Sequence, residues 1–175
     1  MKKLLAILLV LAMTLACTAA LAERVRFVEE SPDFDIEMEL PEGAVAVDTK
    51  VDEMLSLQSF QMGELAPVSI VIAPSDIYET LSMNDLSDED VEALKAIAGE
   101  QYDDPKATVD VTPSGNKYIH ICANAEYDMD SIFTLYKGYF IQLTQWHEDY
   151  SEITDADYAF MQQLLYNIEF LPVTK

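Results

Sequence analysis

Residues 130–147 read DSIFTLYKGYFIQLTQWH, and the folding of this stretch decides the architecture. Two runs rich in β-branched and aromatic residues, 131–136 and 139–146, flank Lys137-Gly138. A two-residue loop with glycine second suits the positive φ of a type I′ turn, so the stretch reads as a β-hairpin. The loop also sets a register. Tyr136 stands opposite Tyr139, Thr134 opposite Ile141 and Ile132 opposite Leu143 on one face. Leu135 opposite Phe140, Phe133 opposite Gln142 and Ser131 opposite Thr144 share the other. Both faces carry large apolar groups, so both need cover, and the hairpin belongs near the centre of a sheet.

Just upstream, residues 117–124 (KYIHICAN) form the preceding strand. Pairing Asn124 with Asp130 would set Tyr118 beside Tyr136 and Tyr139, His120 beside Thr134, and Cys122 beside Ile132. Further toward the N-terminus, 34–40 (FDIEMEL) alternates strictly, with Phe34, Ile36, Met38 and Leu40 on one side and acids on the other. That is a strand with one buried and one wet face. Short strands follow at 44–48, 54–61, 68–73 and 107–112, and a last one at 167–171. Residues 23–33 read as a polar lead-in, and 76–82 as a short helix.

Two amphipathic helices are expected. The first, 88–98, has Ser87 as N-cap, Asp90 at its third position, a stripe of Val91, Leu94, Ile97 and Ala98, and Gly99 at its end. The second, 155–166, is capped by Thr154 with Asp157 as reciprocal partner, and buries Phe160, Met161, Leu164 and Leu165. The sum is α+β: a large, mainly antiparallel sheet with the two helices on opposite faces.

Residues 1–22 stand apart. Lys2-Lys3 precedes an apolar run to Ala16, and Ala20-Leu21-Ala22 is a small-x-small cleavage site, the pattern of a secretory signal peptide. The apolar run is short for a membrane anchor. A lipoprotein signal modified at Cys17 is the other alternative, although Thr14-Leu15-Ala16 fits its cleavage pattern poorly. The expected mature chain, 23–175, is 175 less 22, or 153 residues, the size of one domain. Cleavage removes two lysines and no acid, so a net charge of −22 becomes −24. The remaining bases are scattered singly, which argues against nucleic acid and anionic membrane as partners. Cys122 is the single mature cysteine, so no intrachain disulfide is expected.

In the order of its parts the chain resembles the PsbP-like superfamily. That group includes the extrinsic photosystem II subunit, the nuclear Ran-binding protein of the Mog family and many exported bacterial proteins. The resemblance lies in FDIEMELPEG at 34–43, Gly138-Tyr139-Phe140-Ile141 after the hairpin turn, and Ile168-Glu169-Phe170 after the closing helix. As a pattern it spans 34–171. It implies an α/β/α sandwich around an antiparallel sheet, and usually no catalysis. The family often has an aromatic residue just after the Pro-x-Gly turn, where this chain has Ala44. The photosynthetic and Ran-binding roles rest on residues without counterparts here, so the resemblance transfers the fold and no site.

The candidate binding residues are Tyr118, Tyr136, Tyr139 and His120. Tyrosines combine apolar bodies with polar tips and line binding faces as readily as sheet rims. His120 and Cys122 share a face and form a possible base and nucleophile. Residues two apart on a strand are roughly 6–7 Å apart along the backbone, however, and no third group to orient the histidine is evident. Buried packing is the expected state of Cys122. The acidic stretches 84–90 and 148–157 lack the glycine and the Asp-x-Asp spacing of a calcium loop, and both sit at helix starts, where acids complement the dipole. No metal, cofactor or catalytic group is expected. The sequence therefore suggests an exported, non-enzymatic interaction or ligand-binding module at the bacterial cell surface, taking an unknown protein or small ligand. The alternative is a hydrolase or thiol enzyme using Cys122 and His120.

Overall fold

The computed structural model describes residues 24–27, 34–52, 55–75, 78, 80–100, 102, 105–124, 128–149 and 151–172. The expected signal peptide at 1–22 lies outside them. In chain order the elements are β1 (Arg24–Phe27), β2 (Phe34–Glu39), β3 (Ala44–Asp52), β4 (Leu55–Met62), β5 (Val68–Pro74), α1 (Asp88–Gly99), β6 (Lys106–Val111), β7 (Lys117–Asn124), β8 (Asp128–Tyr136), β9 (Tyr139–Gln145), α2 (Asp155–Tyr166) and β10 (Ile168–Pro172).

Seven strands form one antiparallel sheet in the order β3-β4-β5-β9-β8-β7-β6. The β8–β9 hairpin occupies its middle, and every pair read from the Lys137-Gly138 loop is present. Lys137 and Gly138 take φ of 45° and 85°, the left-handed pair that a type I′ turn requires. Backbone bonds hold the turn down: Gly138 N–H donates to Leu81 O at 2.8 Å, and Ser75 N–H donates to Gly138 O at 2.7 Å.

The two helices cover opposite faces, as the two-sided hairpin demands. α1 lays Val91, Leu94 and Ala98 on Ile119, Ile121 and Leu135. α2 lays Phe160, Met161, Leu164 and Leu165 on Tyr118, Ile132, Ile141 and Leu143. Burying a side chain of this size contributes about 1.5–3 kcal/mol, and four of them hold α2 on the sheet. On the α2 face a second sheet, β1-β2-β10, completes the cover, with Ile36 and Met38 of β2 in the same core. The fold is α+β, with α1 on one face and α2 beside a three-stranded sheet on the other.

Several details differ from the sequence reading. Residues 24–27 are a strand, because Arg24 to Phe27 pair with β2. β3 runs to Asp52, past an irregularity between Ala46 and Asp48, the kind of bulge that edge strands carry. Ile97 is 60% exposed, since its direction on α1 points past the sheet. Gly99 stays inside the helix, and Glu100 is the C-cap. Residues 76, 77 and 79 of the expected short helix lie outside the described residues; the helical turn described nearby is a 3-10 turn at Met83–Asp85.

The register of β7 on β8 also differs. Asn124 stands opposite Asp128 and Cys122 opposite Asp130, so Tyr118 faces Thr134 and His120 faces Ile132. The shift from the expected pairing is two residues. Faces are kept, because side chains alternate with a period of two, but neighbours change.

Candidate functional site

Tyr118, Tyr136 and Tyr139 share the α2 face, and Tyr136 and Tyr139 are cross-strand partners at the hairpin end. Tyr118 is buried, 2% exposed. Its hydroxyl lies 3.3 Å from the Tyr166 hydroxyl and accepts from Gln162 Nε2 at 3.1 Å. Burial, and then hydrogen bonding with the Tyr118 hydroxyl, push Tyr166 up to about 12 and move Tyr158 above the ordinary tyrosine range. Tyr136 and Tyr139 are half-buried. The Tyr136 ring stacks on Phe170 of β10 with centroids 3.5 Å apart. A pocket of about 40 Å³ opens between Tyr118, Tyr136, Phe170, Lys117 and Asn84. It has room for a few waters or the tip of one side chain, not for a whole organic ligand.

The larger constellation lies at the other end of α2. His120 and Cys122 point to the same face of β7, and Asp130 stands across from Cys122 on β8. Cys122 Sγ is 3.3 Å from His120 Nε2, and Asp130 Oδ1 is 3.4 Å from the same nitrogen. The Tyr158 ring stacks on the imidazole at 4.1 Å between centroids, 13° from parallel, and fixes its plane. These groups line a cavity of about 260 Å³, whose wall includes Asp128, Glu152 and Asp155.

Cys122 is therefore half-buried in a cavity wall and not sealed in the core as expected from its apolar neighbours. Burial, with the hydrogen bond and negative charge of Asp130, pushes its thiol up to about 12. A group beside the histidine does exist: Asp130, hidden from the sequence reading by the two-residue register shift. In a nucleophile–base–acid relay the acid holds the far ring nitrogen while the nucleophile meets the near one. Here thiol and carboxylate converge on one nitrogen, so the geometry is that of a convergent donor set and not a relay.

Both helix starts are capped. Ser87 Oγ accepts from Asp90 N–H at 3.2 Å, and Lys117 Nζ lies 3.2 Å from Asp88. At α2, Thr154 Oγ1 accepts from Asp157 N–H at 3.3 Å, while Asp157 Oδ2 accepts from Thr154 N–H at 2.8 Å. Among the described residues no helix is long and apolar enough to cross a membrane.

No protein-family model matches the chain, and no curated protein matches it. Among solved structures the chain is similar to the solution structure of cyanobacterial PsbP (CyanoP) from Synechocystis sp. PCC 6803. The match has 16% identity and a TM-score of 0.47, and covers 87% of this chain and 95% of that one. It lies in the same group that the sequence resembles; at that identity it brings no ligand, partner or activity with it.

Proposed function

We propose that the protein is an exported, non-enzymatic binding module at the bacterial cell surface, contacting its ligand or partner on the α2 side of the large sheet. The observation that carries this reading is the convergence of Cys122 and Asp130 on His120 Nε2, at 3.3 and 3.4 Å, in place of a relay. A thiol whose neighbouring histidine has no acid on its far ring nitrogen to orient it is a poor nucleophile. Around it the face offers contact chemistry: the half-buried rings of Tyr136 and Tyr139 at one end, and a cavity edged by His120 at the other. Aromatic bodies supply contact area at low entropic cost, and polar tips set orientation. The Ala20-Leu21-Ala22 cleavage pattern supports export, and a fold of this size holds without disulfides.

The test is binding of the purified protein to envelope fractions of the bacterium that makes it. Saturable binding is expected, weakened by Tyr136→Ala and Tyr139→Ala with the fold intact. N-terminal sequencing of the extracellular protein should give Glu23. Retention of Met1, a lipid on Cys17, or a hydrolytic activity abolished by Cys122→Ser would replace the reading.

A further inference from the structure

The convergence at His120 has a second consequence, which goes beyond the binding-module reading and does not depend on it. A hydrogen-bonded cluster needs only pairs. Here three different donor types, an imidazole nitrogen, a thiol sulfur and a carboxylate oxygen, meet with all their donor atoms within 4.8 Å of one another. We propose that His120 Nε2, Cys122 Sγ and Asp130 Oδ1 form a three-ligand site for a borderline transition-metal dication, of the zinc class, open to the cavity at its fourth position.

The distances carry the assignment. Zinc bonds of about 2.3 Å to sulfur and about 2.0–2.2 Å to nitrogen and oxygen, spread tetrahedrally, separate donor atoms by roughly 3.4–3.6 Å. The observed separations of 3.3 Å for sulfur–nitrogen and 3.4 Å for nitrogen–oxygen match two edges of that tetrahedron, and the sulfur–oxygen edge, within 4.8 Å, closes by side-chain rotation of Cys122 or Asp130. A metal on the cavity side would replace the mutual contacts by three bonds with little movement of the backbone, because all three residues sit on paired strands in the interior of the sheet. Sites on strands hold geometry better than sites on loops.

The surroundings agree. Tyr158, stacked on His120, keeps the imidazole edge turned toward the thiol and carboxylate. Asp128, Glu152 and Asp155 on the cavity wall add negative charge that draws a cation in. The cavity of about 260 Å³ leaves room for water or a small ligand at the fourth position. The donor set selects the class. A thiolate and an imidazole suit zinc or its relatives, whereas calcium and magnesium want six or more oxygens or an octahedron of them. On binding, a sulfur–metal bond forms and the Cys122 S–H proton leaves to solvent; no electron is transferred.

The test is titration of purified, chelator-treated protein, kept reduced by a phosphine, with cobalt(II) and then zinc(II). Cobalt should give the intense visible bands of a tetrahedral site together with a near-ultraviolet thiolate charge-transfer band, and one equivalent of zinc should bleach both. Cys122→Ser should remove the charge-transfer band. His120→Ala and Asp130→Asn should each weaken zinc by at least about tenfold, the scale on which even outer-sphere partners act. Asp88→Asn, at an exposed carboxylate on the other helix, should leave zinc affinity unchanged. Circular dichroism of each variant confirms that the fold persists. Cobalt binding without the charge-transfer band, or equal zinc affinity in wild type and all three site variants, overturns the site.

Discussion

The carboxylate of Asp157 accepts the backbone N–H of Ala66 at 2.7 Å, tying the first turn of α2 to the loop before β5 across 91 residues of sequence. Asp157 is buried, and it also accepts from Thr154 N–H at 2.8 Å and lies 3.3 Å from His147 Nε2. One side chain thus caps a helix and anchors it to the sheet. Asp157→Ala removes the reciprocal half of the capping box, leaving the Thr154 N-cap, and takes from the buried Ala66 N–H its carboxylate partner. The expected loss is about 2–4 kcal/mol, seen as a lower denaturant midpoint with an unchanged slope.

The same carboxylate makes stability depend on pH. Burial alone would raise its pKa, but hydrogen bonds from Thr154, Ala66 and His147 outweigh burial and hold it below the ordinary carboxylate value. A depressed pKa contributes stability that is complete above the unfolded value, near about 3.9, and is lost as pH falls through the lower folded value. The melting-temperature gap between wild type and Asp157→Asn should be full at neutral pH and close below about pH 4. A gap that is independent of pH would show that packing, and not the charge, is what the substitution removes.

Cys122, with its thiol pushed up to about 12, should react slowly in the metal-free native state. Its alkylation rate at neutral pH should rise by about three orders of magnitude on unfolding, the change in thiolate fraction. Rapid native labelling would restore the thiol-enzyme alternative.

Tyr118 and Tyr136 should separate core from contact surface. Tyr118→Ala empties a buried site and is expected to cost about 3–5 kcal/mol, whereas Tyr118→Phe, losing the contacts to Tyr166 and Gln162, costs about 1 kcal/mol. Tyr136→Ala loses the stack on Phe170, an aromatic pair worth about 0.5–1.5 kcal/mol beyond burial. The domain should remain folded while partner binding falls. Thermal melts run beside the binding assay distinguish the two.

Calcium should not raise the melting temperature, because Asp157 accepts from Thr154 N–H, Asp90 accepts from Ser87 Oγ and Asp88 pairs with Lys117, and neither helix start has the spacing of a calcium loop. A saturable calcium-dependent rise that disappears in Asp88→Asn or Asp155→Asn would contradict this.

Much of the fold was legible because local rules agreed with the tertiary result. Lys137-Gly138 determined a two-residue turn, hence every pair of the β8–β9 hairpin. The apolar groups on both its faces determined a central position and a helix on each side, and Ser87 and Thr154 marked where those helices begin. The β7–β8 register was not legible. Residues 125–127 contain no glycine or proline to name a turn, and a slip of two residues leaves the same side chains facing the same layer. Hydrophobic pattern cannot distinguish registers that differ by an even number. Only the packing of the whole sheet set Asp130 opposite Cys122, and with it the three donor atoms around His120 Nε2. The tyrosine row shows the same division: alternation placed Tyr118, Tyr136 and Tyr139 on one face, but the arrival of β10 and α2 decided that Tyr118 is sealed while Tyr136 and Tyr139 stay half-open. Periodicity along a strand assigns faces; distances across strands, and the burial that follows, belong to the assembled chain.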